Sequence, residues 1–171
     1  MTSLAITVVG HDRPGIIAAA ATALATCGMN LEDSSMTLLR GHFAMTLVCA
    51  GTSPVETVRA ALDPLEASGL DVAVREVVPD PEVPAGTATH LVTVYGADRL
   101  GIVARLAGVV AEVGANITDL TTRLSGELYV LLAEVALPAG ADVAALGARL
   151  DAVAAELGVE VTTRALENDD L

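Results

Sequence analysis

The chain has 171 residues, a net charge of −13, 53% apolar residues and only 2% aromatics. That apolar share excludes disorder as the default. The acidity excludes direct binding to nucleic acid or to an anionic membrane surface, since both need clustered Lys or Arg. With no Trp in the chain, the core has to come from Ala, Val, Leu and Ile. Cys27 and Cys49 are too few for a disulfide framework and read as buried free thiols. The start, Met1-Thr2-Ser3-Leu4, has no basic segment followed by an apolar one, and no apolar run reaches transmembrane length. The expectation is a cytoplasmic protein.

In chain order, Leu4 to Val9 predicts a strand, with Ile6 and Val8 on one face and Ala5, Thr7 and Val9 on the other. Gly10 is expected to end it. Asp12 is placed to cap a helix and Pro14 to sit in its first turn. Ile17, Ala20, Leu24 and Cys27 recur at helical spacing, and Gly28 stops the run. Leu31 to Leu39 and the alternating Phe43, Met45, Leu47 and Cys49 make a hairpin about Arg40-Gly41. Ser53 is expected to cap a second helix, with Pro54 first and Glu56 third. Its stripe is Val55, Val58, Leu62 and Leu65, with a kink or early end at Pro64. Leu70, Val72 and Val74 alternate in a closing strand.

Residues 79–88 form a proline-rich linker, separating a first domain, 1–78, from a second, 89–171. The second repeats the first. His90 to Tyr95 is a strand. Val103, Leu106, Val110 and Val113 stripe a helix. Asn116 to Leu124 and Glu127 to Ala136 form a hairpin about Ser125-Gly126. Val143, Leu146, Leu150, Val153 and Leu157 stripe a helix that Gly158 stops. Val159 to Leu166 closes the unit, before a short acidic tail.

The stretch Val9-Gly10-His11-Asp12-Arg13-Pro14-Gly15-Ile16 returns as Tyr95-Gly96-Ala97-Asp98-Arg99-Leu100-Gly101-Ile102, 86 residues on. Gly28-Met29-Asn30-Leu31 returns at the same spacing as Gly114-Ala115-Asn116-Ile117. The period is too long and the copies too few for a solenoid. The order β-α-β-β-α-β, found twice, predicts an α+β fold: two ferredoxin-like units in tandem, each an antiparallel sheet with helices on one face. The other face, with Ala5, Thr7, Val9 and Leu91, Thr93, Tyr95, carries no charge on these strands. It is expected to meet a partner surface, which predicts a homo-oligomer.

The pair G-x-D-R-x-G-I and G-x-N-[LI] on a βαββαβ unit resembles the ACT domain, a small amino-acid-sensing module. The His-Asp-Arg-Pro-Gly-Ile form is similar to the subgroup found in the glycine cleavage system transcriptional repressor family and at the N-terminus of formyltetrahydrofolate deformylases. The resemblance covers residues 4 to 166. It implies that amino acids bind between the first loop and the start of the second strand, often across a domain interface. The implied ligand-binding residues are Gly10, His11, Asp12, Arg13, Pro14, Gly15, Ile16, Asn30 and Leu31, with Gly96, Asp98, Arg99, Gly101, Asn116 and Ile117 in the repeat. The second copy departs from the pattern at Ala97 and Leu100, so the first is preferred.

The residues give a physical case for this. Gly10 and Gly15 allow close backbone approach. The helix that follows presents free N–H groups suited to a carboxylate. Asn30 or Asn116 offers donor and acceptor, and His11, Asp12 and Glu32 or Asp33 suit an ammonium group. The same residues also have purely structural readings, as caps, turns and solvated charges. His11, His42 and His90 fall in different predicted elements and predict no metal site. No catalytic set, phosphate loop or cofactor is expected. The leading function is a non-enzymatic regulator that senses a small amino acid, with glycine and serine as candidates. It would act through a protein partner such as a transcription regulator, in glycine or one-carbon metabolism. The alternatives are a subunit or remnant of a deformylase-like enzyme, or an interaction module without a ligand.

Overall fold

Alternation along the first strand sets the layering of the first unit. Leu4, Ile6 and Val8 are fully buried, while Thr7 and Val9 are exposed on the opposite face. A one-residue register slip would expose all three buried side chains, each stabilising by about 1.5–3 kcal/mol. The computed structural model describes residues 2–78 and 89–166. The linker 79–88 and the acidic tail 167–171 lie outside the described residues. The chain divides into two units, Met1–Asp80 and Pro81–Leu171.

Unit 1 runs β1 (Thr2–His11), α1 (Ile16–Thr26), β2 (Met29–Leu39), β3 (His42–Gly51), α2 (Val55–Ala67) and β4 (Asp71–Val77). Unit 2 runs β5 (His90–Ala97), α3 (Ile102–Glu112), β6 (Asn116–Ser125), β7 (Leu128–Ala136), α4 (Val143–Leu157) and β8 (Val159–Ala165). The sheets are ordered β2-β3-β1-β4 and β6-β7-β5-β8, antiparallel at every pairing. This is the ferredoxin-like arrangement, twice. The repeat extends to an irregularity: the register shifts between Leu31 and Asp33 in β2, and between Ile117 and Asp119 in β6.

Several local expectations are corrected. Gly10 does not end β1, which continues to His11 with Gly10 opposite Phe43. Glycine is needed there for close approach: a Cβ would lie 2.6 Å from Leu70 Cδ2 and 3.3 Å from the Gly69 carbonyl. Asp12 does not cap α1, and Pro14 is not in its first turn. The N-cap is Gly15 at φ 95°, matched by Gly101 at φ 93°, and neither helix has a side-chain cap. That left-handed conformation is the reason for glycine at both positions. Starting α1 at Ile16 also rotates its buried face. Ile16 is 3% exposed and Ile17 is 51% exposed, so Ile16, Ala20 and Leu24 form the stripe. Ile102 replaces Val103 on α3 in the same way.

Ser53 is not the cap of α2. The N-cap is Pro54, and the Ser53 hydroxyl donates to the Cys27 carbonyl at 2.7 Å, tying the α2 entrance to the end of α1. Val58, Leu62 and Leu65 are buried as expected, but the helix continues through Pro64 to Ala67. The second hairpin turns on Gly126-Glu127, since Ser125 pairs with Leu128. On α4, Leu146, Leu150 and Ala154 are buried, Val153 and Leu157 pack at the margin, and Val143 is exposed. Asp142 caps that helix by accepting the Ala145 N–H at 2.9 Å. Both cysteines are free, with Cys49 buried and Cys27 half-buried against the core.

Candidate functional site

The β1–α1 loop is built by three constraints. Pairing of β1 with β3 carries His11 to the last rung, opposite His42. The Asp12 N–H then donates to the Gly41 carbonyl at 3.0 Å, fixing the loop to the hairpin turn. Gly15 starts α1 in the left-handed conformation. The first helix-type bond runs from the Ala19 N–H to the Gly15 carbonyl. The amides of Ile16, Ile17 and Ala18 precede it and are the free donors of the helix end.

His11 and His42 stack with ring centroids 5.0 Å apart and a 34° tilt. Histidines that fall in different elements of the sequence are brought together by the sheet, against the expectation that they stay apart. The pair brings two ring nitrogens each to the loop that carries Asp12. No group of three or more metal-ligating side chains occurs among the described residues. Arg13 points elsewhere. Its Nη1 donates to the Ser68 carbonyl at 2.8 Å, and its Nη2 donates to the Ser68 hydroxyl. Ser68 is the C-cap of α2, where a cation meets the negative end of the helix dipole. In unit 1 the arginine of the motif therefore holds helix to loop.

The repeat uses its loop differently. Ala97 and Leu128 stand where His11 and His42 do. Arg99 makes no hydrogen bond or ion pair among the described residues. Asp98, Arg99, Gly101, Ile102 and Tyr129 line an open hollow at the start of α3. Among the described residues, the motif arginine is therefore unengaged in the copy with fewer matching side chains. Tyr129, opposite Gly96 on β7, contributes to that hollow and was missed in the sequence. It stands where β3 has Phe43, which is the signal that could have found it.

Within a unit the loop and the asparagine of the expected site lie at opposite ends of the sheet. Asn30 pairs with Ala50 at one end of β3, and His42 at the other end faces His11. Eight strand residues separate those rungs, roughly 26 Å at ~3.3 Å per residue. Asn116 opposite Ala136 and Ala97 opposite Leu128 repeat this separation. Ile117, Glu32 and Asp33 lie at the strand starts with the asparagines, while Leu31 shares a pocket with Ile17 of α1. Asp33 accepts the Ser34 N–H at 2.8 Å, an engagement local to its own strand. Burial pushes the Cys49 thiol up from its ordinary pKa, and the charge of Glu32 adds to this.

Comparison with known proteins fits this architecture. Residues 2–75 and 88–164 each match the ACT domain. The chain is 27% identical over 168 residues to the glycine cleavage system transcriptional repressor of Escherichia coli K12, covering 92% of this chain and 86% of that one. It is 31% identical over 167 residues to the phosphoserine phosphatase SerB2 of Mycobacterium tuberculosis, covering 83% of this chain but 40% of that protein. A crystal structure of an unknown protein from Galdieria sulphuraria superposes with a TM-score of 0.81 at 28% identity, covering 97% of this chain and 99% of that one. With both halves matched and both folded as βαββαβ units, the chain belongs to the ACT-domain family, as a tandem pair similar to the glycine cleavage system transcriptional repressor.

Proposed function

We propose that this protein is a non-enzymatic, cytoplasmic regulator that senses an amino acid and passes the signal to a protein partner such as a transcription regulator. The observation that carries this reading is likeness to a repressor across both units, 92% of the chain. The loop geometry supports it: α1 and α3 open with free amides suited to a carboxylate, and His11, His42 and Asp12 stand beside the first. The ligand acts by binding one arrangement of the protein more tightly than another. The net charge of −13 favours control through a partner over contact with DNA.

Titration calorimetry against the twenty amino acids tests this directly. Saturable heat with at least one is the expected result, and silence with all twenty defeats it. A second reading comes from the likeness to SerB2, an enzyme of which this chain matches less than half. Here the tandem pair serves as the accessory part of an enzyme. Copurification with a phosphatase or deformylase, and a change in that enzyme's rate on addition of the chain, would favour this second reading.

A further inference from the structure

Unit 1 has a pocket of about 140 Å3 between α1 and β2, on the helix side of the sheet. Ile17 and Ala20 form one wall, Leu31 and Ser34 the other, and Met45 and Leu47 the floor. The lining is apolar apart from serines on the β2 wall. A cavity of this size with such a lining takes a guest about as large as benzene.

The repeat shows which side chains around this space differ between the units. Counting 86 residues on, Ala20 becomes Leu106 and Ser34 becomes Leu120. The positions are equivalent in register, since Ser34 faces Leu47 and Leu120 faces Ala133, again 86 residues apart. Leu106 is 2% exposed, packed into the core of its own unit. The fold therefore accepts leucine at the first position buried and at the second on the strand face. Unit 1 carries small side chains at both, with Leu47 on the floor where unit 2 has Ala133.

We propose that this pocket receives the apolar side chain of an amino-acid ligand, of leucine or methionine size, and so selects against glycine and serine. The inference rests on the reading of the chain as an amino-acid sensor and specifies its ligand. Ile17 lies in the first turn of α1, so a side chain under it sets the ligand's carboxylate near the free amides of that turn. Glycine leaves the pocket empty, and serine puts a hydroxyl against its apolar floor.

The test is calorimetry on the full chain with leucine, methionine, glycine and serine, together with the methyl NMR signal of Met45. Leucine and methionine are expected to bind roughly tenfold or more tighter than glycine and serine, since an unfilled apolar pocket loses about that much. They are also expected to shift the Met45 methyl. Ser34→Leu and Ala20→Leu each weaken leucine binding by a similar factor, while Leu120→Ser leaves it unchanged. Far-UV circular dichroism confirms that each variant is folded. If glycine or serine binds as tightly as leucine and Met45 does not respond, the pocket assignment is overturned while amino-acid sensing stands. If no amino acid gives heat, both fall together.

Discussion

Units 1 and 2 share a backbone plan down to the strand irregularity before Asp33 and Asp119. They also share the left-handed glycine before α1 and α3. What differs is the side chains set around that plan. The first loop has a histidine pair and an arginine engaged with α2. The second has neither histidine, and its arginine faces an open hollow. The first unit has Ala20 and Ser34 lining a pocket, at positions where the second carries Leu106 and Leu120. Conformational demands common to both copies belong to the fold, and only the differences bear on which copy meets which ligand.

The largest expected effect separates the cores. Phe43 is 2% exposed, and Phe43→Ala should cost about 3–5 kcal/mol in denaturant unfolding. Tyr129→Ala, at the equivalent but half-buried position, should cost clearly less. Equal losses would show that the two cores are more alike than their burial indicates.

The αL glycines sharpen what the units share. A Cβ at Gly15 or Gly101 meets open space at φ 95° and 93°. The penalty is backbone strain alone, about 1–2 kcal/mol for each Gly→Ala change. A large difference between the two in thermal unfolding would break the equivalence of the loops.

The arginines come next. Arg13→Ala removes hydrogen bonds to the end of α2 and should destabilise by about 1 kcal/mol. Arg99→Ala, with no such partner among the described residues, should stay within about 0.5 kcal/mol. If ligand binding is measured instead, the order should reverse wherever the hollow of unit 2 is the occupied site.

The smallest effect is confined to alkaline pH. The Tyr95 hydroxyl donates to Glu160 across the outer face of unit 2. That hydrogen bond, and then the carboxylate's charge, raise the phenol above its ordinary value of 10.0. A raised value means the contribution is fully present below pH 10 and is lost as pH climbs through the folded-state value. Phenolate absorbance should rise later for Tyr95 than for a free tyrosine, and Glu160→Gln should restore the ordinary midpoint. Unit 1 has Val9 at the equivalent place and no such titration.

Much of the fold was legible in the residues. Alternation in β1 and β3 named the buried faces, and the repeat named the element order. Errors clustered at helix starts. Asp12, Pro14, Ser53 and Pro54 all suit helix N-termini, but local preference does not say which candidate the chain will use. Gly15 prevailed because the loop had first to bond the Gly41 carbonyl, and the stripe shifted with it from Ile17 to Ile16. The candidate site was less legible. The motif marks which residues cluster in sequence, whereas His42 and Ser68 reach the loop from elements 31 and 55 residues away.

By itself, the sequence determined the two βαββαβ units, the core faces of their strands and the glycines at the loops. Each of these follows from periodicity or backbone sterics within a few residues. Only the tertiary structure decided that His11 faces His42, that Arg13 is committed to α2, and that Asn30 stands a sheet's length from the loop it was grouped with. These are consequences of antiparallel register and of a helix returning the chain to the far end of the sheet. Spacing along the sequence does not encode them.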